Sequence, residues 1–449
     1  MYLSRVRIDG IRGFRGDRAV DLRLTRPDGT HAGWTVLAGR NSSGKTSLLQ
    51  AIAVALLTPA QAYGLVPDLS SWRSAEPGTI GLTLTGPAAA SAAVPTAVPR
   101  SRVDSLVERA DVEVSCTWTV PPGSERMRPQ VAWQRQVPVD TADGTGAAVL
   151  GDAEWEFALL GTVTGYGPYR RMNQSSRRDD RAFLTLFDEE AALNEGIAWL
   201  VDADHRRLEG RPGAEQTVEA VLGLLGDELL PPGLRVAGVS SDGLTVRGDE
   251  GEFPLTGMSQ GVRTAVALAV SLIWELVQDD PSAFLRRRDG RFVVTRPGIV
   301  LIDEIDAHLH VTWQQRIGEW LKAHFPEVQF IVTTHSPYIC QAADPGGLIR
   351  LGAPGDPAGP EVVSDDLYQR VVYGTGDDAV MSELFGLESP FSPEAERLRR
   401  RAGDLEEAMM DGEATDAERA EYDELSAKLT SSLSTRAAEV AALLGRRGE

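Results

Sequence analysis

Eight residues, Gly39-Arg40-Asn41-Ser42-Ser43-Gly44-Lys45-Thr46, constrain the fold of this chain more than any other stretch. They fit G-x-x-x-x-G-K-[ST] without a mismatch. The apolar run WTVLA (34–38) precedes them, and TSLLQAIAVALL follows Lys45 with apolar residues at helical spacing, ending before Pro59. A strand that enters a glycine loop and leaves as a helix is a building block of parallel α/β sheets. The glycines let backbone N–H groups close round phosphates, Lys45 neutralises β/γ charge, and the Thr46 hydroxyl ligates Mg²⁺. A nucleoside triphosphate site is therefore expected here.

Two later strands bring the chemistry such a loop needs. GIVLID (298–303) ends in the acid pair Asp303-Glu304, at the strand end where parallel sheets carry their active sites. Asp303 is expected to hold Mg²⁺ through water, and Glu304 to polarise the attacking water. FIVTT (330–334) ends in His335-Ser336-Pro337. A neutral imidazole there can donate to a γ-phosphate oxygen, although a histidine that merely caps a buried strand fits the same pattern. His308 and His310, two residues apart near acids, raise a metal site as a further alternative.

Composition narrows the class. Charged residues at 24% and hydrophobic residues at 42% suit a globular chain long enough for two or three domains. The longest near-uniform apolar stretch, VALAVSLIW (266–274), falls short of the roughly 20 residues of a membrane span. MYLSRVRIDGIRGF alternates apolar and charged residues, unlike a signal peptide. The expectation is a cytoplasmic protein with no membrane partner. Cys116 and Cys340 lie far apart without metal-ligand spacing and read as buried apolar residues. The net charge of −20 argues against coating nucleic acid over the whole surface. Yet the arginines cluster, in Arg170, Arg171, Arg177, Arg178 and Arg181, and in Arg286 to Arg288 with Arg291. A local basic groove and a solvated, ion-paired face both remain open.

Residues 3–9 and 18–24 alternate like two strands, and 61–165 reads as short antiparallel strands broken by low-complexity, mobile loops at 86–99 and 141–148. Residues 180–230 read as helical, 235–248 as a hairpin, 259–277 and 311–323 as helices, and 328–334 as a strand. After the Pro/Gly loop GAPGDPAGPE comes a helical tail, with helix starts at Ser392-Pro393-Glu394 and at a capping box, Thr415 to Glu418. The expected division is 1–60 for the first half of an ATPase head, 61–165 for a β-rich subdomain and 166–254 for a helical insertion with a hairpin. The second half of the head follows at 255–350, and a loop and helical tail at 351–449.

In this order the pieces resemble the ATP-binding-cassette (ABC) ATPases, in the soluble branch of RecF, OLD and SMC-like AAA proteins. Val6 to Leu57 and LIDEIDAHLHVTWQQRIGEWLKAHFPEVQFIVTTHSPYI (301–339) carry the likeness. It implies an α/β ABC-type P-loop NTPase head with an antiparallel β subdomain, a helical insertion and a helical C-terminal tail. It also implies ATP and Mg²⁺ as cofactors, and a signature motif, best matched by Leu255-Thr256-Gly257-Met258-Ser259-Gln260-Gly261. In the family, the serine and glycine of this motif, here Ser259 and Gly261, reach the γ-phosphate held by a partner chain, and a helix N-terminus suits an anion. Asp306 would lie in the loop that communicates across the dimer. Val311 stands where the family has proline after His-Leu-His, and the family has these histidines without a metal. The glutamine loop is expected near 165–171, with Gln174 close by.

The likeness is closest to the ATPase subunit of Septu-type anti-phage systems, through SELFGLESP and the acidic helix EEAMMDGEATDAE in the tail. It implies a homodimer or higher homo-oligomer and an HNH-type nuclease partner in trans, with nucleic acid a possible ligand. Four alternatives compete with this reading. A transporter motor conflicts with the separation of 258 positions from Lys45 to Asp303. A nuclease in cis would need a strand-built acid site among Asp365, Asp366, Asp377 and Asp378. A RecF-type repair clamp would bind DNA directly. A nucleotide switch without turnover would have no use for Glu304.

Overall fold

The computed structural model describes residues 1–76, 78–86, 111–119, 129–141, 144–152, 155, 162–170, 183–356, 358–387 and 389–429. Its first eight strands are β1 (Tyr2–Asp9), β2 (Val20–Arg23), β3 (Trp34–Ala38), β4 (Gly78–Thr85), β5 (Val112–Thr119), β6 (Gln130–Thr141), β7 (Gly144–Val149) and β8 (Thr162–Tyr166). The others are β9 (Arg235–Ser240), β10 (Gly243–Gly248), β11 (Gly251–Pro254), β12 (Leu285–Arg288), β13 (Arg291–Val294), β14 (Gly298–Ile302), β15 (Val328–Thr334), β16 (Leu348–Arg350) and β17 (Glu361–Val362). The longer helices are α1 (Lys45–Leu56), α2 (Pro59–Leu65), α3 (Glu195–Leu208), α4 (Ala214–Gly226), α5 (Gln260–Val277), α6 (Ile317–His324), α7 (Asp365–Tyr373), α8 (Pro393–Met410) and α9 (Asp416–Lys428).

Two six-stranded sheets organise the first compact unit, Met1–Phe385. One has the order β17-β16-β3-β15-β14-β8 and is parallel except for β17. Every residue of β3, β14 and β15 is buried, as expected of parallel strands covered on both faces. The period of two splits their side chains between two cores. Trp34, Val36, Val300, Ile302, Phe330 and Val332 face the core that holds α5. Leu37, Ile299, Leu301 and Ile331 face the core that holds α1 and the second sheet. That sheet is antiparallel, in the order β2-β1-β4-β5-β6-β7.

The second sheet, together with Trp155 beyond its last strand, also caps α1. The last carbonyls of a helix have no partner within it. Here Trp155 Nε1 donates to Leu56 O at 2.8 Å, Trp133 Nε1 to Val54 O at 3.3 Å, and Arg135 Nη2 to Leu57 O at 3.0 Å. A cation at this end also suits the helix dipole. Between the two sheets, the buried Gln329 of β15 behaves like a piece of backbone. Its Oε1 accepts from Leu3 N at 2.7 Å and its Nε2 donates to Leu3 O at 2.9 Å.

Several expectations shift. β7 occupies 144–149, where low complexity suggested a loop, because a hairpin partner in β6 needs only backbone groups. Residues 87–110 lie outside the described residues, so the loop at 86–99 is described only at Gly86. The helix expected over 311–323 is broken into a single turn, Val311–Gln314, and α6, because Arg316 N bonds Trp313 O, a tight 3₁₀-type contact. The boundary at residue 60 crosses a sheet, since β1 and β2 pair with β4 to β7, and β8 joins the parallel sheet. Helix α7 belongs to the first unit, and the second begins at Gly386. In that second unit, Ser392 caps α8, Thr415 and Glu418 form the capping box of α9, and Arg401 grips Glu421 with two bonds of 2.9 and 2.7 Å. Helix α5 is apolar and long enough by composition to cross a membrane, but 72% of it is buried in the protein core. Cys116 and Cys340 are both buried free thiols.

Gln329→Leu should leave both Leu3 backbone groups buried and unpaired, lowering unfolding free energy by about 2–4 kcal/mol. Urea denaturation reads this directly, and an unchanged midpoint would mean that the two sheets are joined by packing alone.

Candidate nucleotide site

At the end of β3 the loop turns back under two close approaches. A Cβ on Gly39 would lie 2.4 Å from Leu351 O, and one on Gly44 would lie 2.9 Å from the Phe14 ring. Gly44 has φ +100 and Ser42 φ +63, so the loop rises through left-handed backbone before α1 starts at Lys45. Arg18 pins it from outside, donating to Ser43 O at 3.0 Å and to Ala353 O at 2.6 Å. Arg40 Nε donates to Phe385 O at 3.2 Å, while Asn41 and Ser42 are exposed. Ser43 Oγ is buried without a hydrogen-bond partner among the described residues. Lys45 is mostly buried, with Nζ donating to Gly39 O at 2.8 Å and Arg40 O at 3.1 Å. Burial lowers its pKa, against the pull of Asp303, Glu304 and Asp306.

The carboxylate of Asp303 is held from two sides. Thr46 Oγ1 donates to Oδ2 at 2.7 Å and Thr333 Oγ1 donates to Oδ1 at 2.6 Å. Asp303 is 2% exposed, and its backbone N–H donates to Tyr166 O at 2.7 Å. Thr333 Oγ1 also accepts from Glu304 N at 2.7 Å. Glu304 has φ +44, which turns the chain sharply at the strand end and leaves its side chain partly exposed. Asp306 accepts from Thr334 Oγ1, and from His335 N at 3.3 Å, so it ties the histidine turn to the acid turn within one chain. The His335 ring is exposed, and its pKa is lowered by partial burial and then by Lys45, which keeps the imidazole neutral at neutral pH. Ser336 Oγ donates to Gln314 Oε1 at 2.7 Å.

The segment read as a signature motif opens α5. Ser259 is its N-cap residue, exposed, yet its hydroxyl makes no capping bond. Gly261 packs so closely that a Cβ would meet His308 O at 2.5 Å, with His308 itself at φ +66. His310 caps the following turn through Nδ1. Among the described residues, no hydrogen bond joins Ser259 or Gly261 to the phosphate loop, and no group of three or more His, Cys, Asp or Glu is gathered as a metal cluster.

The arginine clusters separate. Arg286 to Arg288 and Arg291 are exposed on the ribbon β12–β13. Arg170 is buried on the backbone of the acid turn. Arg171, Arg177, Arg178 and Arg181, and Gln174 with them, lie outside the described residues. Thr333, Arg18 and Arg170 were missed as site residues. Two threonines at the end of a wholly buried strand were the one available signal, since a buried hydroxyl needs a partner.

A triphosphate fits this cradle. Glycines leave the space, an unpartnered buried hydroxyl and a lysine point into the loop, and a threonine stands beside a carboxylate on the oxygen-only pattern suited to Mg²⁺.

The phosphate loop and the acid and histidine turns lie within stretches that match known protein families. Residues 5–73 match a family described as "AAA domain", and residues 165–341 one described as "AAA domain, putative AbiEii toxin, Type IV TA system". The chain is similar to the retron Ec83 probable ATPase of Escherichia coli, 45% identical over 87 residues, which are 19% of this chain and 15% of that protein. It is also similar to Septu protein PtuA of Bacillus thuringiensis, 30% identical over 175 residues, which are 37% of this chain and 41% of that protein. The chain thus spans less than half the length of these curated relatives. Among solved structures it is similar to an SMC head bound to the C-winged helix domain of ScpA, with TM-score 0.48, 17% identity, and coverage of 81% of this chain and 98% of that one.

Gly39→Ala should weaken nucleotide affinity at least about tenfold, because the added methyl displaces the loop from Leu351. Titration with a fluorescent ATP analogue measures it, and an unchanged Kd would mean the loop does not grip phosphate.

Proposed function

We propose that this chain, AAA-domain sequence on both sides of its nucleotide site, is a Mg²⁺-dependent ATPase that works as a nucleotide-sandwich homodimer. We further propose that it serves as the ATPase subunit of a prokaryotic anti-phage defence system with an HNH-type nuclease in trans. The observation that carries the ATPase reading is the double tie on Asp303, which brings Thr46 of the phosphate loop and the acid pair to one point. Thr46 and Asp303 would hold Mg²⁺, which when bound offsets charge on the β- and γ-phosphates. Lys45, freed from the loop carbonyls it now bonds, would turn to the phosphates. Glu304, bent out of the strand by its positive φ, would orient the attacking water. His335, neutral at working pH, would donate to a γ-phosphate oxygen.

The dimer is supported by what Ser259 does not do. A serine at an N-cap ordinarily bonds its own helix, and this one leaves its hydroxyl and the helix N-terminus open to solvent. Ser259 and Gly261 would then contact the γ-phosphate bound to a second copy, with Asp306 in the loop that transmits between them. The defence reading rests on the relatives named for a retron and for Septu. A second reading, a RecF-like clamp that binds DNA directly, is favoured by one feature. Arg286 to Arg288 stand exposed on a β-ribbon, and none is paired to a carboxylate among the described residues.

Glu304→Gln should bind Mg-ATP with near-normal affinity while turnover drops about 100-fold or more. Phosphate release and ATP titration test this together, and normal turnover would remove Glu304 from catalysis. Ser259→Arg should keep ATP binding in the monomer and lose the ATP-induced dimer, read by native mass spectrometry. Loss of binding instead would assign 255–261 to the cis site. Glu304→Gln protein drawn from its own host with Mg-ATP separates the two readings. A second, nuclease-sized chain supports the defence subunit, and a bare dimer carrying DNA supports the clamp.

A further inference from the structure

Arg170 follows the turn after β8 and is 2% exposed. Its terminal nitrogens meet four backbone carbonyls. Nη1 donates to Gly167 O at 3.3 Å and Asp303 O at 3.0 Å, and Nη2 donates to Glu304 O at 2.9 Å and Ile305 O at 3.3 Å. Among the described residues, Nε has no partner and no carboxylate hydrogen-bonds the group. Burying a guanidinium without a direct counter-ion is expensive, so it calls for a reason beyond packing. Burial pulls its pKa down to about 10 while Asp306, Asp303 and Glu304 hold it up, so it stays charged at neutral pH.

The geometry explains what the charge does. In an extended strand successive carbonyls point to opposite sides. Three in a row, from Asp303, Glu304 and Ile305, converge on one guanidinium because the chain bends at Glu304, where φ is +44. A glutamate in left-handed backbone is strained and persists only where its surroundings over-determine it. Here two contacts do so: Thr333 Oγ1 takes the Glu304 N–H, and Arg170 takes the Glu304 carbonyl. Arg170 is itself fixed by the β8 turn, where Gly167 N donates to Thr185 Oγ1 at 3.2 Å and a Cβ on Gly167 would meet Thr185 O.

We propose that Arg170 is a positioning residue for ATP hydrolysis: it holds the Asp303–Ile305 turn in the bend that aims the Glu304 carboxylate at the nucleotide. This inference rests on the ATPase reading above. The Arg170 guanidinium holds backbone carbonyls of the acid turn, so it acts through Glu304.

The test compares Arg170→Ala, Arg170→Lys, Glu304→Gln and the Arg170→Ala/Glu304→Gln double variant in the full chain. Arg170→Ala should lose about 100-fold in kcat, as a misplacement of about 1 Å can cost, with ATP Kd within about threefold of wild type. The double variant should be no slower than Glu304→Gln alone. Low-millimolar guanidinium should restore turnover to Arg170→Ala and not to Glu304→Gln. If Arg170→Ala fails to fold, Arg170→Lys carries the test, since one ammonium keeps the charge but cannot span three carbonyls. It should bind ATP normally and turn over slowly. Wild-type turnover in the folded Arg170 variant, or losses that add in the double variant, would overturn the proposal. A wild-type chain without ATP turnover removes the ATPase reading itself, whereas wild-type turnover beside an unimpaired Arg170 variant removes only this inference.

Discussion

One buried carboxylate gathers the site. Asp303 would pay heavily for leaving water if its oxygens were unmatched, and threonine hydroxyls from opposite directions match them. Thr46 belongs to the first turn of α1, Asp303 follows β14, and Thr333 ends β15, so a single side chain fixes three elements that are far apart in sequence. The bond from Glu304 N to Thr333 extends the same network to the acid turn. Every later feature of the site, including the histidine turn held by Asp306, is built outward from that point.

Charge balance follows from the same crowding. Asp303, Glu304 and Asp306 stand near Lys45 and Arg170, so the acids exceed the cations by one before any phosphate is present. A triphosphate would add more negative charge to this crowded site, which favours a divalent cation and a second set of N–H donors. The exposed N-terminus of α5 is of that kind. The neutral His335 fits this balance, since Lys45 already supplies the positive charge that a protonated imidazole would duplicate.

Much of this was legible along the chain. The phosphate loop, the acid pair and the histidine all lie at ends of unbroken apolar runs, and continuous burial of β3, β14 and β15 makes such runs readable. The capping boxes of the tail were equally plain, because a cap is a contact between residues three apart. What escaped was long-range. Arg170 looked like one of five clustered arginines, and nothing in its neighbours reveals that it is buried on carbonyls more than a hundred residues away. β7 was taken for a loop because Gly144 to Val149 has few side chains to signal a strand, while backbone pairing with β6 needs none.

The sequence by itself determined the phosphate loop and the order of the strands that end in the acid pair and the histidine, because each is written in contiguous residues under local steric rules. Only the tertiary structure decided how those groups are held. The two threonines on Asp303, the Gln329 bridge to Leu3 and the Arg170 clamp on the acid turn join positions separated by tens to hundreds of residues. Such contacts exist only once the two sheets have closed on their cores, since burial is what makes an unpaired hydroxyl, amide or guanidinium costly enough to choose its partner.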